Sequence, residues 1–267
     1  MLKSLRALSG LLFVGLLALS AFAQAGETLE RVIENKTLVV GTTGDQPPLT
    51  ALNRQGKFMG LDIDLARALA NAMRVELKIE KIAFGDLMSA LDKGKVDMVV
   101  SGVAITPERS MKANFVGPYM LSGKSIVARR DSIEQLAAGN LASADVTLAA
   151  LKNSTSATFV REVAPKANLV EVATTAEAVE LIIAGKADGM VADEPTCLLA
   201  VLRNPDAGLV TLDKPMTVEP MGIAIAAGDA QFLNLVQNYV RAYEGTGLLK
   251  ALRGKWLEDS SWIAALP

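Results

Sequence analysis

Four short stretches of this 267-residue sequence collect the polar side chains best suited to binding or chemistry: 42–46, 101–109, 153–156 and the pair Asp193-Glu194. Each follows a run that reads as a strand. In open parallel sheets ligands gather beyond the carboxyl ends of strands, and in two-lobed proteins they gather between the lobes. Arg109 brings a guanidinium, which grips a carboxylate through two parallel bonds and stays charged when desolvated; after the Thr106-Pro107 turn it reads equally as a solvated charge. Asp193 offers a carboxylate for a buried cation, or an N-cap for a helix with Pro195 at its start. Ser154 and Thr155 stand where a helix begins, suited to an anion or to a plain hydroxyl turn. Asp45 is a loop acid, facing a cleft or solvated in its turn.

What is missing narrows the chemistry. The sequence has no histidine, so Ser-His and Cys-His nucleophile systems and zinc hydrolase sites are excluded. Carboxylates, lysine and tyrosine remain as possible acids and bases. Cys197 is the one cysteine, so no intrachain disulfide supports the fold. No metal and no cofactor is implied.

Lys3 and Arg6 precede an apolar run over 11–19 that ends in Ala21, Phe22 and Ala23. This pattern predicts a cleavable secretory leader over 1–23, because the run is shorter than the roughly 20 residues needed to span a bilayer. No cysteine lies near the cut to carry a lipid anchor, so a soluble exported protein is expected. Of the 27 basic residues, 25 remain without Lys3 and Arg6 against 29 acids, a net charge of −4. Nucleic acid is therefore not an expected partner.

Beyond the leader, short apolar runs alternate with helical stretches, an α/β pattern. A strand is expected over 37–41, a helix capped by Asp62 with Leu65, Leu69 and Met73 on its buried face, a helix over 86–93 and a strand over 96–100. Gly94-Lys95-Val96-Asp97 before that strand is echoed by Gly185-Lys186-Ala187-Asp188 before the strand ending at Asp193. Two similar lobes would produce such an echo. The second is expected to hold a strand over 146–150, a helix from Thr158 and a helix over 175–184. The expected division is 24–128 plus 219–267 for lobe 1 and 129–218 for lobe 2, so that the chain crosses twice and forms a hinge.

Gly-Thr-Thr-Gly-Asp-Gln-Pro-Pro at 41–48, Gly-Leu-Asp-Ile-Asp-Leu-Ala at 60–66 and Ser-Gly-Val-Ala-Ile-Thr-Pro-Glu-Arg at 101–109 resemble the family 3 solute-binding proteins. Gly-Pro-Tyr at 117–119, Ala-Asp-Glu-Pro at 192–195, Gly247 and Lys255-Trp256 extend the resemblance across nearly the whole chain. It implies a two-lobed periplasmic binding protein fold, with the ligand in a cleft between the lobes. It also implies a monomer that captures a small amino-acid-like carboxylate and delivers it to an ABC importer in the membrane. By the same resemblance Arg109 holds the ligand carboxylate with help from Ser154 and Thr155. Asp193 and the Gly102 carbonyl receive an ammonium group, and Phe84 walls the ligand side chain, with Asp45 facing the same cleft.

The sequence departs from the family pattern in three places. Ala104 stands where a hydroxyl residue is usual, Gln46 where an aromatic is common, and Asn153 where a glycine often precedes the hydroxyl pair. Gln46 fits an amide-bearing ligand or an amino-acid derivative better than a large cationic side chain. Thr42-Thr43-Gly44-Asp45 also resembles the first loop of cyclohexadienyl dehydratases, enzymes on the same fold. In that alternative Glu194 or Asp45 would protonate a departing hydroxyl while Arg109 held the substrate carboxylate.

Overall fold

The run Leu38-Val39-Val40 forms part of β1 (Thr37–Thr42) and is apolar on both faces, as a strand covered by helices on each side requires. The computed structural model describes residues 26–137, 141, 143 and 145–267; the expected leader lies outside them. Before β1 comes α1 (Glu27–Asn35). After it come β2 (Asp45–Gln46), β3 (Thr50–Leu52) and β4 (Phe58–Met59), which make a small antiparallel sheet. Then follow α2 (Leu61–Met73), β5 (Glu76–Lys81), α3 (Leu87–Asp92), β6 (Met98–Val99), the short α4 (Pro107–Ser110) and β7 (Ala113–Ser122).

The second sheet is built from β8 (Lys124–Arg129), α5 (Arg130–Ala137), β9 (Thr147–Leu151), α6 (Thr155–Val163), β10 (Asn168–Val172), α7 (Thr175–Ile183), β11 (Gly189–Asp193), α8 (Glu194–Arg203) and β12 (Leu209–Thr211). The chain then returns through β13 (Glu219–Ala226), α9 (Ala230–Gly245) and α10 (Leu248–Arg253) to the first sheet.

The two sheets repeat one plan. Their strand orders are β5-β1-β6-β13-β7 and β10-β9-β11-β8-β12. In each, the first three strands pair in parallel and the fourth pairs antiparallel with both the third and the fifth, so the fourth alone is reversed. Each sheet is covered on both faces. In the first lobe Leu38, Val40 and Ile225 pack with α2 and α9 through Leu65, Leu69, Phe232 and Val236, while Val99 and Ala224 pack with Leu87 and Leu91 of α3. In the second, Val127 and Met190 meet Ile182 and Cys197, and Ile126 and Leu148 meet Leu136 and Val160. Among the described residues no helix is long and apolar enough to cross a membrane.

The structure corrects three expectations. The apolar run 125–128 does not close lobe 1. It belongs to β8, which pairs antiparallel with β11 and β12, Ala128 opposite Gly189 and Val210. The first crossing is therefore at Gly123, immediately after β7, and not at 128. Asp62 does not cap α2, whose N-cap is Gly60; its carboxylate turns inward and accepts the Gly102 amide at 2.7 Å. Finally, α6 begins at Thr155 instead of Thr158, because the Ser154 hydroxyl accepts the Ala157 amide and caps the helix there.

Candidate ligand-binding cleft

Thr106 opens α4. Its hydroxyl accepts the Arg109 amide at 3.2 Å, and Pro107 supplies the fixed φ suited to a first helical residue. This local cap fixes the backbone that carries Arg109. The guanidinium then turns toward the second lobe. Its Nη1 donates to the Ala104 carbonyl at 3.0 Å and its Nη2 to the Asn153 carbonyl at 3.3 Å, and it lies over the Phe84 ring at 5.8 Å. Burial lowers the Arg109 pKa, opposed by the negative charges of Glu219, Asp193 and Glu108. A guanidinium remains ionised under such a shift. Ala104 is buried beside Met221 and takes part through its carbonyl alone.

The facing loop comes from the second lobe. Asn153 holds a left-handed backbone, φ 57°, which asparagine tolerates better than most residues; this accounts for its standing where a glycine is common. Its side-chain amide donates to the Gly85 carbonyl at 3.1 Å, a second contact between lobes. Ser154 spends its hydroxyl on the cap and on the Leu151 carbonyl, and Thr155 donates its hydroxyl to Glu219 at 2.9 Å. What α6 offers an anion is thus its first backbone N–H groups, at Thr155 and Ser156.

Asp193 ends β11 and stands at the N-cap of α8, but its side chain makes no cap bond. The carboxylate instead accepts the Lys124 ammonium at 2.7 Å. Lys124 also lies 2.9 Å from Glu219, and its side chain is only 2% exposed. Burial works against the lysine charge, yet Asp193 and Glu219 outweigh it and the pKa is raised. An ion pair of this kind is held by its partners and by hydrogen bonds to them.

Asp193, Gly102, Gln46, Phe84, Ser154 and Thr155 all border one cavity, together with Lys124 and Thr196. Its volume of about 20 Å³ has room for about one water. Gln46 is buried there with its amide donating to Thr43 at 3.1 Å. Gly102 has φ 58°, and a Cβ at that position would lie 2.7 Å from Leu49. Arg109 and Asn153 border a separate, wider cavity of about 860 Å³ with Gly85; Gly85 follows Phe84, and Asn153 precedes Ser154, of the first. Asp45 lies elsewhere, in a gap between Pro47 and the helices α7 and α8. Burial raises its pKa, opposed by the Thr43 hydroxyl and Lys81. Glu194 borders a different groove, with Leu121 and Trp256.

Sequence reasoning missed Lys124 and Glu219. The available signal was a charge at the head of a continuous apolar strand, Lys124 before 125–128, since such a strand is buried and its charge then needs partners. Among the described residues no cluster of three or more His, Cys, Asp or Glu is gathered to hold a metal ion.

Comparison with known proteins agrees with this architecture. The chain is 29% identical over 263 residues to a cyclohexadienyl dehydratase of Pseudomonas aeruginosa, covering 96% of each chain. It is 30% identical over 221 residues to a glutamine-binding protein of Geobacillus stearothermophilus, covering 79% of this chain and 80% of that one. Among solved structures, an ancestral amino-acid-binding protein described as a precursor of cyclohexadienyl dehydratase superposes with a TM-score of 0.79 at 34% identity, over 86% of this chain and 99% of that one. A binding component of an ABC transporter from Wolinella succinogenes, complexed with lysine, gives 0.80 at 30% identity, over 86% and 99%. Residues 38–259 match the bacterial extracellular solute-binding proteins, family 3, and the chain belongs to that family.

Proposed function

We propose that this protein is a periplasmic solute-binding protein that closes its two lobes on a small amino-acid-like carboxylate and delivers it to an ABC importer. The observation that carries the proposal is the reach of Arg109 from lobe 1 to the Asn153 carbonyl of lobe 2 at 3.3 Å. A carboxylate at the Arg109 fork and the first N–H groups of α6 would bind both lobes at once. Ligand affinity would then favour the closed state, since a ligand shifts a conformational equilibrium by its differential affinity for the two states. The moving units in this reading are the two sheets with their helices, joined at Gly123 and at 212–218. Since the interior cavity has room for about one water, in this reading the lobes separate to admit the ligand. Gly102, Phe84, Gln46 and Thr155 line its place, and Ala104 steadies Arg109. The protein acts as a monomer exported by its leader.

The test is a thermal-shift and calorimetric screen of the refolded, ligand-stripped protein against amino acids, their derivatives and small carboxylates. One compound raising the melting temperature strongly, with binding lost in Arg109→Ala at unchanged melting of the free protein, supports the reading. Wild-type affinity in Arg109→Ala would overturn the site.

The relative from Pseudomonas aeruginosa supports a second reading, a dehydratase acting on prephenate or arogenate. The partly buried Asp45 carboxyl, whose pKa burial raises, is the candidate general acid in this reading, though it sits in a gap apart from Arg109. Mass spectrometry of a prephenate incubation decides between the two: conversion makes the protein an enzyme, and unchanged prephenate leaves it a binder.

A further inference from the structure

Asp193 has the position from which a carboxylate would receive a ligand ammonium, and that position is already answered from within the chain. Lys124 Nζ lies 2.7 Å from Asp193 and 2.9 Å from Glu219, with the lysine side chain 2% exposed. Glu219 also accepts the hydroxyls of Thr155 at 2.9 Å and Thr217 at 3.5 Å. Arg109 supplies a second cation that feels both carboxylates. Before any ligand enters, the two carboxylates are matched by these two cations, so Asp193 does not stand as an uncompensated charge awaiting a ligand ammonium. An incoming α-ammonium would stand beside Lys124 in a poorly solvated place, where like charges repel far more than in water. An ammonium group has three N–H donors, and Lys124 gives two to its carboxylates. The third remains for a neutral or anionic oxygen at the cavity that Lys124 borders.

We propose that Lys124 sets the ligand class: it takes the place of the ligand ammonium, so the cleft selects small carboxylates bearing an oxo or hydroxyl oxygen, and not an α-amino group, next to the carboxylate. The inference rests on the reading of the protein as a carboxylate binder with Arg109 at its centre. It narrows that reading to 2-oxo and 2-hydroxy acids, with the carboxylate at Arg109 and the adjacent oxygen accepting from Lys124.

The experiment is calorimetric titration with matched pairs that differ only at the α-carbon: pyruvate and L-alanine, 2-oxoglutarate and L-glutamate, phenylpyruvate and L-phenylalanine. Wild type should bind the oxo member at least tenfold more tightly in every pair that binds. Lys124→Met should reverse that order. Because Lys124→Met strands two buried carboxylates, Lys124→Met/Glu219→Gln is measured beside it. The double variant removes one charge of each sign and frees Asp193 for a ligand ammonium, and circular dichroism checks that each variant is folded. Tighter binding of the amino member by wild type, or an unchanged order in the folded double variant, overturns the role of Lys124 while leaving the carboxylate site intact. Binding of neither member of any pair overturns the carboxylate reading itself, and this inference with it.

Discussion

Asp97 and Asp188 make the same pair of contacts in the two lobes. The Asp97 carboxylate accepts the Val39 amide at 2.7 Å while its own amide donates to the Val39 carbonyl at 2.8 Å. The Asp188 carboxylate accepts the Thr147 amide at 2.8 Å, and its amide donates to the Thr147 carbonyl at 2.8 Å. Each aspartate clips the start of the neighbouring parallel strand, β1 in one sheet and β9 in the other. The glycines three residues earlier match as well: Gly94 and Gly185 hold left-handed φ of 64° and 70° and donate their amides back into the helix they end.

Removing either carboxylate leaves a strand amide without its acceptor, a loss of about 1–3 kcal/mol when the donor is buried. Asp97→Ala and Asp188→Ala are each expected to lower unfolding stability by that amount. Asp97 should be the more costly because it also pairs with Arg31 at 2.6 Å. Urea unfolding followed by circular dichroism measures both. Lying in different lobes, the two losses should add. A change below the error of the fit in both variants would show that the clips are ornamental.

The two-lobed plan was legible in this echo because helix stop and strand start are local events, written in neighbouring residues. The lobe boundary was not. Residues 126–128 are apolar whichever sheet they join, and the choice is made by Gly189 and Val210, each more than 60 positions away in the sequence. The same distance hides the charge cluster. Lys124 is buried because Asp193 and Glu219 converge on it from strands that the sequence sets far apart. Arg109 was easier, since Thr106 and Pro107 build its turn locally. The resemblance makes ligand donors of the Ser154 and Thr155 hydroxyls, but local capping claims one and a remote glutamate the other.

Asp62 gives the fold a pH dependence. Its carboxyl is fully buried, with Oδ2 on the Gly102 amide. Burial pushes its pKa up to about 7 from 3.8, against the Tyr119 hydroxyl and the Gly102 amide. The folded state thus keeps a proton that the unfolded state gives up, and stability falls as pH rises through the window from about 4 to about 7. Asp62→Asn keeps an acceptor for Gly102 and has no proton to lose. Relative to wild type it should gain on the order of 3 kcal/mol between pH 4 and pH 8. Unfolding curves at the two pH values check this, and parallel pH profiles for the two proteins would contradict it.

Arg109→Lys isolates geometry from charge. An ammonium keeps the positive charge but loses the planar fork, the simultaneous bonds to Ala104 and Asn153, and the stacking over Phe84. Affinity for the ligand found by screening should fall about tenfold or more, an amount consistent with one lost charge-assisted hydrogen bond. Calorimetry compares the variants. Equal affinity in wild type and Arg109→Lys would mean that Arg109 serves only as a point charge.

Gly123 sits at the crossing between β7 and β8, where the returning chain passes over it. A Cβ added there would lie 2.0 Å from the Thr217 carbonyl oxygen and 2.8 Å from Pro215, so the backbone of one crossing would have to move. The Gly123 carbonyl also accepts the Glu194 amide at 2.9 Å, which ties the crossing to the start of α8 and so to Asp193. Gly123→Ala should therefore lose about 1–3 kcal/mol, as overpacking against backbone generally does, and shift the lobes apart. Gly245→Ala is the matched control. Gly245 ends α9 with nothing within 4 Å of its added Cβ, and alanine there should be neutral or stabilising by up to about 1 kcal/mol. Thermal unfolding gives the stability and small-angle scattering the separation of the lobes. If Gly123→Ala matched Gly245→Ala in both, the crossing would tolerate a side chain and the close approach of Thr217 would not constrain closure.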